Sequence, residues 1–97
     1  KAIEILDNLL KKEISDKEKI YTLYYKIKIY SDILENYEQA ITTYKKLQKY
    51  SEKKLKKALS FTELCATYYR IYKAYSQKNQ KKEKKLILQK AINNNCD

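Results

Sequence analysis

The chain has 97 residues, a formal net charge of +10, and no Gly, Pro, His, Met or Trp. Without His, neither a nucleophile–histidine pair nor a histidine-ligated zinc site can form, and without Gly no glycine-rich phosphate loop can form. We therefore expect no enzyme, no metal site and no cofactor. A single domain rich in the helix formers Lys, Leu, Ile, Glu and Gln is predicted to be all-α.

Two helices are predicted in the first third of the chain. The first covers residues 1–12 and places Ala2, Leu6, Leu9 and Leu10 on one face. Ser15 and Glu18 have the spacing of a capping box, which predicts the start of a second helix that extends to about Leu34. The apolar positions of this second helix are spaced by threes and fours and comprise Ile20, Leu23, Tyr24, Ile27, Tyr30 and Leu34.

The middle of the chain predicts two more helices. Asn36 with Gln39 starts the third, which ends near Tyr50 and buries Tyr37, Ala40, Ile41, Tyr44 and Leu47. Ser51 starts the fourth, whose apolar stripe runs through Leu55, Ala58, Phe61, Cys65, Tyr68, Tyr72 and Tyr75. Ser60 and Glu63 also match a cap pattern and leave a break near Leu59 open, but the continuous stripe favours one long helix.

The last predicted helix follows a polar turn at residues 76–80. It covers residues 81–93, with Leu86, Leu88, Ala91 and Ile92 as its apolar positions. Because the connections are only a few residues long, consecutive helices should be antiparallel, and about five helices should form stacked hairpins. We expect no membrane span, since the chain has no run of 18 apolar residues.

The positive charge is concentrated in the second half of the chain. Residues 1–50 carry ten Lys against eight acids, and residues 51–97 carry twelve Lys or Arg against four acids. Basic runs at residues 53–57 and 81–85 could attract an acidic protein or a nucleic acid, or could simply be solvated helix faces.

The chain repeats its own pattern after 44 residues. Tyr24, Tyr25 and Ile27 recur as Tyr68, Tyr69 and Ile71. Self-similarity at this period is typical of helical repeat arrays, whose units are stable only when their neighbours cover them. The last helix departs from the pattern, because it has Lys where its counterpart buries Tyr37, Ala40 and Ile41. This polar substitution favours a solvent-facing terminal cap.

Residues 35–44 resemble a tetratricopeptide repeat. Asn36, Tyr37, Ala40 and Tyr44 match the short turn, aromatic, small residue and aromatic of that family's second helix, and Tyr24 matches the aromatic of the first helix. Lys28 and Tyr72 depart from it, since the family usually has a small residue there. The resemblance implies a single domain over residues 1–97, built as a right-handed α-solenoid. Its units are the second helix of a truncated repeat (1–12), a repeat (16–50) and a degenerate C-terminal repeat or cap (52–95).

The resemblance also implies a function and a site. Ligands of the family lie in a concave groove lined by the first helix of each repeat, and longer, irregular units resemble the repeat domains of bacterial peptide-sensing regulators. By this resemblance the chain belongs to a larger, non-catalytic array that binds a peptide or partner protein. The polar last helix favours the C-terminal end of that array, and the basic second half favours a partner with an acidic element. The implied lining is Thr22, Tyr25, Ile29, Ile33, Ala66, Tyr69, Lys73 and Ser76.

Two other functions remain open from the residues. A basic helical domain with interleaved Tyr could bind nucleic acid through phosphate contacts and base stacking. A purely structural segment would instead have further helices covering Tyr25 and Ile29.

The two cysteines, Cys65 and Cys96, stand 31 positions apart. They could form a bridge, but Cys65 falls on an apolar stripe and Cys96 falls in the tail. We therefore expect a buried, reduced Cys65, and from it a cytoplasmic location.

Overall fold

The computed structural model describes residues 2–96, which form six α-helices, one π-helical segment and no β-strand. The all-α prediction is confirmed for these residues, and the predicted helix start at residue 1 lies outside them. The helices are α1 (Ala2–Leu10), α2 (Asp16–Lys28), α3 (Tyr37–Leu47), α4 (Glu52–Ala58), α5 (Phe61–Gln77) and α6 (Lys81–Asn93), with the π-helix Ile29–Ile33 directly after α2. No helix between residues 2 and 96 has both the length and the apolar character needed to cross a bilayer.

The helix starts follow the predicted caps. The Ser15 hydroxyl accepts a hydrogen bond from the Glu18 amide at 3.2 Å, and the Glu18 carboxylate accepts one from the Ser15 amide at 3.2 Å. The Asn36 side-chain oxygen accepts the Gln39 amide in the same way at 3.2 Å. Each cap satisfies backbone donors that the first turn of a helix leaves without a partner, which is worth about 1 kcal/mol.

The prediction of one long fourth helix is wrong. The chain leaves the helical conformation at Leu59, where φ is −115° and ψ is 141°, and α5 starts afresh from a capping box formed by Ser60 and Glu63. Phe61, which the stripe placed in the core, is exposed. The apolar spacing misled because Leu55 and Leu59 are both buried, so the stripe continues across the break.

The core lies where α2, α3 and α5 meet. The α2–α3 hairpin packs against α5, which in turn pairs with α6, while α1 contacts α2 and the short α4 rests on α2 and α5. The buried tyrosines fill the spaces between these helices, as predicted for Tyr24, Tyr44, Tyr68 and Tyr75. The fully buried hydrophobic residues are Ile20, Ile27, Ala40, Leu47, Ile71 and Ala74.

The two hairpin turns have nearly the same backbone conformation. Glu35 and Asn79, 44 positions apart, both take positive φ, at 51° and 56°. The next residues also agree, with φ −93° and ψ 81° at Asn36, and φ −94° and ψ 79° at Gln80. Left-handed backbone favours Gly, which this chain lacks, and Asn79 tolerates it better than Glu35 does.

The π-helix widens the end of the first hairpin turn. At the second turn the Gln80 amide donates to the Tyr75 carbonyl five residues earlier at 3.0 Å, as in a Schellman motif. At the first turn the Asn36 amide donates to the Tyr30 carbonyl six residues earlier at 2.8 Å. The second predicted helix therefore continues nearly to Leu34, but its last turn is not α-helical.

The apolar face predicted for the last helix is wrong except at Ala91. In α6 the buried apolar residues are Ile87 and Ala91, whereas Leu86, Leu88 and Ile92 are exposed. The helix carries more apolar residues than its main packing partner, α5, can cover, so the sequence alone left two faces to choose between. In α1 no residue is fully buried, although Leu10 packs against the core.

Cys65 and Cys96 form a disulfide, which corrects the prediction of a reduced Cys65. Their Cα atoms are 5.6 Å apart. The antiparallel pairing of α5 with α6 accounts for this proximity, because it returns the end of α6 to the first turns of α5. The argument for a cytoplasmic location from a reduced thiol no longer holds.

Candidate partner-binding surface

Four of the predicted lining residues lie on α2 and the π-helix. Ile33 is 71% exposed, Tyr25 is partly exposed, and Ile29 is half-buried. Thr22 is buried, and its hydroxyl donates to the Glu18 carbonyl at 2.7 Å within the same helix. This segment therefore offers an aromatic ring and two isoleucines to a partner.

The other four predicted residues lie on α5. Tyr69 and Lys73 are exposed, while Ala66 and Ser76 are half-buried. The Lys73 Nζ lies 5.9 Å from the centroid of the Tyr37 ring, at the start of α3. The Ser76 hydroxyl donates to the Tyr72 carbonyl at 3.0 Å.

Arg70 of α5 contacts the π-helix through Asp32 and lies near Tyr24 of α2. Its Nε donates to both carboxylate oxygens of Asp32 at 3.1 Å, and its Nη2 lies 3.0 Å from one of them. Its guanidinium also lies 5.8 Å from the centroid of the Tyr24 ring. Burial lowers the pKa of Arg70, but the hydrogen-bonded Asp32 carboxylate and the neighbouring Tyr24 outweigh burial and raise it. The guanidinium therefore stays charged and links α5, which carries Tyr69 and Lys73, to the π-helix, which carries Ile33.

Three tyrosines of α2 form a cluster at this surface. The ring centroid of Tyr21 lies 5.6 Å from that of Tyr24 and 5.1 Å from that of Tyr25, and the Tyr24 and Tyr25 centroids are 5.6 Å apart. The Tyr25 ring meets both neighbours edge to face, the arrangement that aromatic quadrupoles favour. We call Tyr21, Tyr24 and Tyr25 the tyrosine cluster.

Tyr21 was not among the predicted site residues. The pKa of Tyr21 is raised to about 12. The largest cause is the Tyr25 hydroxyl, followed by burial and by the negative charge of Glu63. Its phenol is therefore protonated at neutral pH and can donate a hydrogen bond. The spacing of Tyr21 and Tyr25, one helical turn apart, was the sequence signal that would have identified it.

The tyrosine cluster and its neighbours suit the side chains and backbone of a peptide. Tyr21 and Tyr25 present apolar ring faces with polar tips, and Ile33 adds exposed apolar area toward the end of the same helical segment. The Lys28 Nζ lies 5.8 Å from the Tyr25 ring centroid and adds a positive charge. Tyr is among the residue types enriched in binding hot spots.

The two basic runs lie at opposite ends of α6. Lys56 lines a groove with Asn93, Asn94 and Asn95, where α6 ends. Lysines of the second run line a different groove in the first two turns of α6, roughly 18 Å away along the helix. That groove, which we call the α5–α6 groove, is lined by Tyr72, Lys81, Lys84, Lys85 and Leu88.

Comparison with protein-family models, with curated proteins and with solved structures gives no match for this chain.

Proposed function

We propose that the chain is a non-catalytic helical-repeat scaffold of the tetratricopeptide type, and that it binds a peptide or partner protein at the tyrosine cluster. The observation that carries this proposal is the exposure of Tyr21, Tyr25 and Ile33 along one helical segment. Large apolar side chains on a rigid helix are exposed to water here. A partner that covers them makes their burial a favourable contribution to binding.

The order of helix contacts supports the repeat architecture. The α2–α3 hairpin packs on α5, the first helix of the next hairpin, and α2 also contacts α5 directly. The two hairpin turns recur at the sequence period of 44. In this arrangement α4 is a short insertion between the two hairpins, which accounts for a period longer than that of the tetratricopeptide family.

The charges support a partner with an acidic element. Lys28 stands beside Tyr25, and Lys73 lies one turn from Tyr69 on α5. Nucleic acid has less support, because Lys56 of the first basic run and the lysines of the second line two different grooves. The disulfide supports an oxidising compartment in place of the predicted cytoplasm.

A displayed library of random peptides, selected on the folded protein, tests the proposal. We expect an enriched peptide whose affinity falls at least about tenfold in the double variant Tyr25→Ala/Ile33→Ala, as for hot-spot residues. The matched control is Phe61→Ala/Leu86→Ala, which also removes one aromatic and one aliphatic side chain from exposed positions. This control should bind the peptide like the wild type.

Two outcomes of the selection would overturn the proposal. Equal binding by both double variants would place the site elsewhere. Failure to enrich any peptide on a protein of unchanged helicity would favour the structural segment without a ligand.

A further inference from the structure

The second hairpin repeats the turn angles and the buried positions of the first one, although it has no π-helix, and this identifies an equivalent groove on it. Asn79 and Gln80 repeat the backbone conformation of Glu35 and Asn36, 44 positions earlier. The buried positions repeat as well, with Ile27 matching Ile71 at zero exposure. The surface that α2 and α3 present to α5 therefore has a counterpart on α5 and α6.

In the first hairpin this surface is apolar and covered. Ala40, Ile41 and Tyr44 of α3 are buried, and α5 is the helix that packs on α3 next along the chain. Tyr37, at the start of α3, is half-buried beneath Lys73 of α5. The groove between the two helices of a hairpin is thus a surface on which a third helix packs.

In the second hairpin the positions equivalent to Tyr37, Ala40, Ile41 and Tyr44 are Lys81, Lys84, Lys85 and Leu88. These residues line the α5–α6 groove together with Tyr72, and Leu88 is 42% exposed. Within residues 2–96, α6 has its main packing partner in α5, and α4 lies on α2 and α5. The groove keeps an apolar floor, but lysines have replaced the aromatic, small and aliphatic residues around it.

The lysines stand where a helix disfavours them. Four of the first five residues of α6 are Lys, and only Glu83 offsets them there. Positive side chains in the first turn oppose the helix dipole and repel one another. The Lys84 Nζ lies 5.1 Å from the centroid of Tyr72, so the positive charge is held over the groove. An anionic occupant would relieve this local excess of charge.

We propose that the α5–α6 groove binds an amphipathic helix of a partner protein, with apolar residues on the face toward Tyr72 and Leu88 and carboxylates opposite Lys81, Lys84 and Lys85. The occupant is expected to be a helix because α5 packs on the equivalent surface of the first hairpin. It is expected to be acidic because three lysines line the groove. This site is separate from the tyrosine cluster and does not depend on its function.

A second copy of the chain fits the groove poorly. Its net charge of +10 opposes association through a basic groove. The acidic helix α1 is the best candidate within a copy, but its Asp7 pairs with Lys26 of α2 at 2.7 Å. Docking α1 into a neighbouring groove would break that pair.

Fluorescence anisotropy with a synthetic peptide tests the inference. The probe is a labelled 17-residue helix with leucines spaced by threes and fours and glutamates beside them, measured in about 0.15 M salt. We expect binding to the wild type and at least about tenfold weaker binding to Lys81→Glu/Lys84→Glu/Lys85→Glu, since each lost pair accounts for a few-fold. The variant should keep its fold, because Glu is favoured at a helix start.

The matched control is Lys53→Glu/Lys56→Glu/Lys57→Glu, which changes the net charge equally but alters exposed lysines of α4. It should weaken binding by less than about threefold, because long-range charge effects are screened at this salt concentration. Leu88→Asn should also weaken the probe, and a glutamate peptide without leucines should bind at least about tenfold more weakly.

Several outcomes would overturn the inference. Equal losses in the two triple variants, or equal binding of the leucine-free peptide, would mean non-specific attraction to net charge. A wild-type dimer in sedimentation that the groove variant abolishes would make a second copy the occupant. Tyr25→Ala/Ile33→Ala should bind the probe normally, which separates a failure here from a failure at the tyrosine cluster.

Discussion

Two ion pairs connect residues 38 positions apart, and they differ in how much water reaches them. The Arg70 and Asp32 side chains are 17% and 44% exposed, and they form a fork of several hydrogen bonds. The Lys54 and Asp16 side chains are 56% and 49% exposed and meet through one hydrogen bond of 2.7 Å. Water screens the second pair, so only the first should stabilise the fold measurably.

Replacing Arg70 tests this difference at the residue scale. Arg70→Ala is expected to lower the free energy of unfolding by roughly 1 to 2 kcal/mol, after allowance for the exposure of Asp32. Arg70→Lys should recover only part of the loss, because an ammonium cannot reproduce the fork. Urea denaturation measures both, with Lys54→Ala as the matched control. If Lys54→Ala lost as much stability as Arg70→Ala, the Arg70–Asp32 pair would not be the more stabilising of the two.

At the scale of elements, the break between α4 and α5 depends on Ser60. Its hydroxyl accepts the Glu63 amide at 3.1 Å, and the Glu63 carboxylate accepts the Ser60 amide at 2.8 Å. Ser60→Ala should lower the free energy of unfolding by about 1 kcal/mol, whereas Ser60→Asp keeps an acceptor and should be nearly neutral. Thermal denaturation followed by circular dichroism measures both. If Ser60→Ala is as stable as the wild type, the cap is not what starts α5.

Most of the elements could be predicted from local sequence, because caps and spacing act over a few residues. Ser15, Asn36 and Ser51 start helices where the sequence places them. The break at Leu59 could not be decided, since a buried residue at either end of a kink preserves the apolar spacing. The buried face of α6 depends on which neighbour covers it, and a single sequence does not contain that information.

The candidate surface could be predicted only in part, for the same reason. Tyr25, Ile33 and Tyr69 are exposed as a lining requires, but Thr22 is buried, which spacing along one helix does not reveal. Arg70 was missed because its role depends on contact with Asp32, which only the folded chain brings near. Tyr21 could have been identified, because it lies one helical turn from Tyr25. The disulfide was missed because two cysteines 31 positions apart become neighbours only when α6 folds back on α5.

For the whole molecule, the disulfide is expected to contribute substantially to stability. It closes a loop across a separation of 31 residues, which restricts the unfolded chain and stabilises the fold by about 3 to 4 kcal/mol. Cys65→Ala/Cys96→Ala should lose that amount in urea denaturation, and reduction of the wild type should have a similar effect. Thiol titration of the unreduced, unfolded protein is the control, and finding two free thiols there would disprove the bond.

The disulfide also determines how the molecule carries mechanical load. A pulling force applied at Cys96 passes through the covalent bond to Cys65 on α5. It therefore cannot unfold α6 from its C-terminal end. Roughly 100 Å of chain between the two cysteines stays locked out of any extension. A pull between Ala2 and Cys96 would therefore load α1 to α4 and the first turn of α5, and would bypass the lysines of the α5–α6 groove.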